Sequence, residues 1–443
     1  MSTAKTSPEA LELARKYDLT QTIIPFLDPH LVYPIAEFLG KKGIYSSKAL
    51  DQLQYDLFKD SCMFDFINDL WKKLNPSESA LSLDDRRADL DARIATYERD
   101  LTTVSEAFEN PEVQANLKAD KVQNLRMLEK YNITVDLINS FYFFGKANFS
   151  CGDYAAASRK LHQFLLLSTD AKLIASAHWG KFASDLLAGE TEAALEDQQS
   201  LRDIVDQRSF ADPLTQLHNR TWIIHWSLFL LQNPNFNKEG LVDLFFSASY
   251  ISTIQAACPW IIRYLAAAVI SLNTKGRNNS SNQRRLKDLV RVVGQELYEY
   301  QDPITDFVRA LYIDYDFAEA QSKLLEAESI LANDFFLHNL TDSFLDSARH
   351  LVSELYCRIH QRIDVKQLSA RLNLSPEQGE KWIANLIKDT KMDAKINESD
   401  GTVIMNHPVT SVYQQVIEKT KGLTFRSNQI LAQALNKNES VVA

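Results

Sequence analysis

Twelve glycines and twelve prolines in 443 residues are too few for a collagen-like, low-complexity or turn-rich all-β protein. The four cysteines, Cys62, Cys151, Cys258 and Cys357, stand far apart and form no CxxC or Cys/His cluster. That excludes a disulfide framework or a zinc site of ordinary spacing and fits free thiols in a reducing compartment. Long hydrophobic runs are missing as well. The longest, Trp222–Leu231 and Ile261–Leu272, are interrupted by His225 and Arg263 and fall well short of the ~20 residues of a membrane span; buried helices are expected there. Met1–Lys16 has no apolar stretch of the secretory kind.

Positive charge is in deficit too. Against 58 Asp and Glu stand 48 Lys and Arg, a net charge of −10, so the chain as a whole repels nucleic acid and anionic membrane, and any RNA contact must be local. None of the spacings GxGxxG, GxxxxGK[ST], HExxH or GxSxG occurs. Gly145-Lys146 and Gly180-Lys181 lack the flanking Gly and Ser/Thr of a phosphate loop. The expectation is a cytoplasmic, non-catalytic protein with a possible nuclear pool, and no cofactor, metal or membrane contact.

What is present is helical periodicity. After a polar extension over 1–16, Asp28-Pro29 reads as an N-cap with proline at the first helical position. Leu31, Ile35, Phe38 and Leu39 then repeat at helical spacing, with Pro34 expected to kink that helix or displace its start. The region 82–130 is charge-rich between widely spaced apolar residues, the pattern of a long exposed amphipathic helix broken at Pro111. A weak internal repeat follows. Phe141–Ala157 carries Gly145, Ala147 and a Gly152-Asp153 turn; Trp179–Ala194 carries Gly180, Ala183 and a Gly189-Glu190 turn; Leu311–Ala320 is a weaker third copy. Small residues allow helices to approach, and glycine supplies the positive-φ stop between them. The polar stretch Asn273–Gln283 reads as the best internal loop.

Near the C-terminus, Val365–Leu372 reads as a short helix. Ser375-Pro376-Glu377-Gln378 then opens another that carries Trp382, Ile383, Leu386 and Ile387, and Asp393–Ile396, a turn at Asn397–Gly401, and Thr402–Met405 form a hairpin. That order is a winged helix. Across 357–408 there are eight Lys/Arg and seven Asp/Glu, too balanced for a DNA-reading footprint. The hairpin is therefore expected to offer an edge strand to a neighbouring protein, through Asp393, Lys395, Ile396, Thr402, Val403 and Met405. Val416, Ile417 and Leu423, in the exposed C-terminal segment Ser411–Leu431, are expected to fold against neighbouring subunits.

Other clusters are weighed against blander roles. His218 and His225 lie seven apart on one helical face without a carboxylate or cysteine at ligand spacing, and read as packing histidines. Asp314 and Asp316 at i, i+2 read as turn chemistry. Lys275, Arg277, Arg284, Arg285 and Lys287 contain no acid among them in sequence and could touch RNA phosphates, although a solvated loop leading into a helix is the favoured account.

A winged helix closing a helical array resembles the PCI-domain family of the proteasome lid, the COP9 signalosome and eukaryotic translation initiation factor 3, and more narrowly the e-subunit family of the last. The resemblance is carried by Tyr17–Thr20, Phe26–Asp28, His30–Val32, Arg220–Trp222, Ile224–Phe229, Asp302–Thr305, Asn333–Leu337, Met392–Ile396 and Tyr413–Thr420. It implies a non-catalytic subunit that packs against neighbours through its winged helix and C-terminal helix, contacts the c, d and l subunits, and supports preinitiation-complex assembly and mRNA recruitment on the small ribosomal subunit. The alternative is a subunit of the signalosome or lid, or a winged-helix nucleic-acid regulator. The expected fold is all-α: a right-handed superhelix of TPR-like repeats, then a winged helix and a C-terminal helix. Expected boundaries are a flexible extension at 1–16, repeats at 17–215, the helical part of the PCI domain at 216–356, the winged helix at 357–408 and a C-terminal helix and tail at 409–443.

Overall fold

A computed structural model describes residues 8–76, 81–109, 134–207, 212–233, 236–272, 280–371, 376–390, 394–397, 401–405 and 412–442. It divides into two compact units, Met1–Arg349 and His350–Ala443.

The first unit is built of helices. They are α1 (Pro8–Lys16), α2 (Thr20–Ile23), α3 (Pro29–Lys42), α4 (Ser47–Phe58), α5 (Phe64–Leu74) and α6 (Asp84–Glu109). There follow α7 (Val135–Cys151), α8 (Tyr154–Leu167), α9 (Ala171–Ala188), α10 (Thr191–Gln207), α11 (Pro213–Ser227) and α12 (Lys238–Phe246). The array continues with α13 (Ala248–Ala257), α14 (Ile261–Leu272), α15 (Ser280–Gln295), α16 (Pro303–Arg309) and α17 (Phe317–Asn333), and α18 (Thr341–Ile359) leads into the second unit.

Local chemistry sets the boundaries. Asp28 accepts the His30 N–H at 2.9 Å to open α3, although Pro34 lies inside that helix. Asp153, Asp170, Asp212 and Asp316 cap α8, α9, α11 and α17 in the same way. Gly152 (φ 90°) and Gly189 (φ 82°) end α7 and α9 in the left-handed region, so the turn of each of the first two repeat copies falls where glycine is needed. In the third copy Tyr315 takes that conformation (φ 56°) ahead of the Asp316 cap, a position that costs a bulky residue some strain.

The small residues of the repeat are contact points. A Cβ on Gly145 would stand 2.9 Å from Leu161 Cγ, and one on Gly180 3.2 Å from Leu161 Cδ1, so Leu161 of α8 wedges between α7 and α9. Apolar nearly all round, α14 is buried along its length as such a helix must be.

Two expectations change. Residues 8–16 are not a loose extension: they form α1, which packs against α17, with Ala14 buried and Arg15 Nε donating to the Ile44 carbonyl at 2.6 Å. Residues 280–283 are not loop but the first turn of α15, while 273–279 lie outside the described residues. Of the long helix expected over 82–130, α6 covers 84–109 with most described side chains exposed and Leu101 buried; the remainder, with Pro111, lies outside the described residues.

Beyond Ile359, the second unit holds β1 (Arg362–Asp364), α19 (Val365–Arg371), α20 (Pro376–Thr390), β2 (Ala394–Asn397), β3 (Thr402–Met405) and α21 (Val412–Val442). The strands form one antiparallel sheet in the order β1-β3-β2. Helix α20 lies so close to α19 that a Cβ on Gly379 would meet Ser369 Oγ at 1.7 Å and Cβ at 2.6 Å. The expected cap at Ser375 lies outside the described residues.

Candidate interaction surfaces

The expected docking strands are not equivalent. In β3, Val403 pairs with Ile363 of β1 on one side and Ile396 of β2 on the other. Val403 and Met405 are 1% and 2% exposed. Both ladders of β3 are occupied, so Thr402, Val403 and Met405 are wing interior and no partner strand can add there. The three-residue strand β1 was missed in the sequence because RID shows no alternation long enough to read. The sheet edges are β1 and β2: Lys395 lies on β2 and is exposed, Ile396 is placed there by backbone only, and Asp393 lies outside the described residues.

The helix α21 exposes the apolar side chains expected of it and more. Val416, Ile417 and Leu423 are 56%, 52% and 63% exposed, and Val412, Tyr413, Phe425, Ile430 and Leu431 also face solvent. Val416, Ile417, Thr420, Lys421, Thr424 and Phe425 line a shallow groove along it. So long a helix holding so many exposed apolar residues is a surface that asks for a partner.

The basic cluster is divided. Arg285 is largely buried and forks onto Asp243, with Nε–Oδ1 at 2.9 Å and Nη2–Oδ2 at 2.8 Å, and Glu239 stands 4.0 Å away. Those carboxylates raise the Arg285 pKa and occupy its donors. The sequence showed no acid beside it because Asp243 is 42 residues upstream. Arg284 and Lys287 remain exposed on α15; Lys275 and Arg277 lie outside the described residues.

The two histidines do not meet: His218 is exposed and His225 fully buried. His225 Nδ1 faces the Thr221 carbonyl at 2.7 Å, its Nε2 accepts from Trp260 Nε1 at 3.0 Å, and its ring stacks on Phe26 at 4.5 Å. Burial pushes its pKa down to about 4, so it is a neutral packing group. Asp314 receives Arg309 at 3.1 Å while Asp316 caps α17, so they do not act as a pair. Among the described residues no three His, Cys, Asp or Glu side chains converge as metal ligands, and no helix is long and apolar enough to cross a membrane.

Four of the strings that carry the resemblance hold tie points: Phe26–Asp28, Ile224–Phe229, Asp302–Thr305 and Asn333–Leu337. Asp302 forms a capping box with Thr305, and its Oδ2 accepts from Arg263 Nε at 2.5 Å and from Tyr300 at 3.0 Å. Burial alone would lower the Arg263 pKa; Asp302, with Tyr300, Tyr264 and Asp334, outweighs it and raises the value. Asp334 accepts from Tyr264 at 3.1 Å, and Phe336 packs edge-on against Phe229. Trp226 Nε1 donates to the Phe26 carbonyl at 3.0 Å across 200 residues.

Three family models match in chain order. They are the eIF3 subunit 6 N-terminal domain at 18–148, the PCI domain at 324–407, and the C-terminal region of the E subunit of eukaryotic translation initiation factor 3 at 411–432. Among similar proteins, the initiation factor 3 E subunit of Yarrowia lipolytica is 55% identical over 422 residues, covering 95% of this chain and 99% of the relative. Its counterpart in Aspergillus fumigatus is 51% identical over 437 residues, 98% of this chain and 96% of the relative. The Emericella nidulans protein of the same name is 50% identical over 421 residues, 94% of each. Identity this high over nearly the whole length of both partners leaves one assignment: the chain belongs to the E-subunit family of eukaryotic translation initiation factor 3.

Proposed function

We propose that the chain is a non-catalytic scaffold subunit of the initiation factor 3 complex, joining neighbouring subunits and supporting preinitiation-complex assembly and mRNA recruitment on the small ribosomal subunit in the cytoplasm. The observation that carries the scaffold role is α21, which displays a run of exposed apolar side chains, Val416, Ile417, Leu423 and Phe425 among them. Next to it in the chain stands a winged helix with two short open sheet edges and no basic footprint: α20 carries Lys381 and Lys388 against Glu377, Glu380 and Asp389. Family membership supports incorporation into the factor; the c, d and l subunits are the proposed neighbours, and RNA contact is at most local, through Arg284 and Lys287.

A tagged chain in a gentle lysate, run on a sucrose gradient with mass spectrometry of each fraction, tests the reading. Co-migration with small ribosomal subunits and other initiation-factor subunits is expected, and truncation after residue 411 should reduce it. Migration in a ribosome-free complex with ubiquitin-pathway subunits would instead assign the chain to a signalosome or lid assembly.

A further inference from the structure

The four thiols are not alike. Cys258 and Cys357 are fully buried, and burial pushes both up to about 12, so they are inert at neutral pH. Cys62 and Cys151 are half-buried and come from different parts of the first unit. Cys62 lies on the short connection between α4 and α5, and Cys151 is the last residue of α7.

The fold brings these two together. A Cβ on Gly152, the residue after Cys151, would stand 3.3 Å from Cε and 3.8 Å from Sδ of Met63, the residue after Cys62. Gly152 is fixed at φ 90° as the stop of α7. The connection carrying Cys62 is held beside α6 by Arg86, which donates to the carbonyls of Lys59 at 3.1 Å and Ser61 at 3.3 Å. The charges around Cys151 agree. Its thiol is pushed up first by burial and then by Cys62, with Asp91 and Asp153 adding to the effect; two thiols so far apart in sequence act on each other only as neighbours in space.

We infer that Cys62 and Cys151 form an intramolecular disulfide when the chain meets a peroxide, a covalent tie between the start of α5 and the end of α7. The order of events follows from the surroundings. A thiolate at Cys151 is opposed by burial and by three neighbouring groups, so Cys62 attacks the peroxide. The O–O bond breaks, a Cys62 sulfenic acid forms and one water leaves. Cys151 then attacks that sulfur: the S–O bond breaks, the S–S bond forms, and the Cys151 proton leaves with the hydroxide as a second water. The two electrons given up by the thiols reduce the peroxide. The product carries no charge, so what opposes a thiolate at Cys151 does not oppose the bond. Cys62 sits outside any helix, and its backbone can adjust to the geometry a disulfide demands. Two glutathione thiols reverse the reaction by exchange and leave as glutathione disulfide. The inference goes beyond the scaffold role and holds or fails independently of it.

The test uses the purified full chain, reduced, desalted and treated with a small excess of hydrogen peroxide. Free thiols are then alkylated, and the chain is digested without reductant for mass spectrometry. A cross-linked pair of peptides holding Cys62 and Cys151 is expected, lost on adding dithiothreitol, with Cys258 and Cys357 alkylated only after denaturation. Cys151→Ser should abolish the pair and leave a Cys62 sulfenic acid that dimedone traps. Hydrogen exchange, which needs no variant, should slow over 59–66 and 146–153 in the oxidised chain. Bonds found only between two chains, oxidation of either cysteine to sulfinic acid without the pair, or no loss of thiol would each overturn the inference.

Discussion

Gly379→Ala is the sharpest test of the winged-helix packing. In an exposed helix interior this change gains about 0.5–1 kcal/mol through the lost entropy of glycine. Here the new methyl would stand 2.6 Å from Ser369 Cβ and 3.4 Å from Ser369 Cα, against an optimum of about 3.5–4.0 Å. Rotating the Ser369 hydroxyl away relieves the 1.7 Å contact with Oγ but not the contact with Cβ, so α20 must move off α19 by about 1 Å. Ser369 is 1% exposed, and its hydroxyl already donates to the Val365 carbonyl at 2.6 Å. Overpacking of this kind costs about 1–3 kcal/mol, which outweighs the entropy gain.

Hydrogen exchange read by mass spectrometry on the full chain should show faster exchange over Pro376–Thr390 and Val365–Arg371 and unchanged protection in α14. Ser369→Gly removes the opposing Cβ, so in the double variant the penalty of Gly379→Ala should shrink by most of its size, the signature of a direct clash. A Gly379→Ala protein protected as well as or better than the parent would refute the close approach.

Three further outcomes are expected. His225 titrates at about 4 when folded and near 6.5 when unfolded; the unfolded chain thus binds the extra proton, and the stability present above pH 6.5 is lost as pH falls toward 4, by about 3 kcal/mol in all. Urea titrations at pH 7.5 and 5 should show that loss reduced in His225→Asn, and an identical pH dependence in the variant would contradict it. Lys181 Nζ bridges buried Asp185 at 2.8 Å and Asp197 at 2.7 Å, so Lys181→Ala should cost about 3 kcal/mol by leaving two buried carboxylates without their shared cation, with only Ser158 on Asp185 and His178 on Asp197, read as a lower denaturant midpoint. Val403→Pro, with β3 paired on both sides, should abolish protection of the whole sheet; loss confined to β2 would show that the pairing with β1 is not formed.

The architecture was legible where chemistry is local. Asp28-Pro29, Gly152-Asp153 and the apolar run of α14 each announce themselves within a few residues, and each is found where the pattern places it. The resemblance strings were legible as strings, but their work was not. That Asp302 holds Arg263, or that Trp226 holds Phe26, depends on side chains brought together across tens to hundreds of residues. The same distance hid Asp243 from the basic cluster and made Arg285 look free. In the wing, alternation revealed β2 and β3 but said nothing about which was the edge, because the deciding strand, β1, is too short to carry a period. The helix at 8–16 leaves little trace in the sequence: among its described side chains Ala14 alone is fully buried, and a single apolar contact gives no repeat to see. Tyr142, Trp179 and Trp222 line one groove, yet they are brought together by the fold and form no motif in the sequence.

The bond between Trp226 and the Phe26 carbonyl also has a meaning in time. A chain is made from its N-terminus at roughly 5–20 residues per second, so Phe26 waits roughly 10–40 seconds before the tryptophan that holds it has been synthesised. The packing of α1 on α17 adds almost a hundred residues more. Until then the growing polypeptide carries its first helices without their permanent cover. Nascent copies of this protein are thus candidates for chaperone capture during their own translation, and the hand-over ends when the late helices arrive.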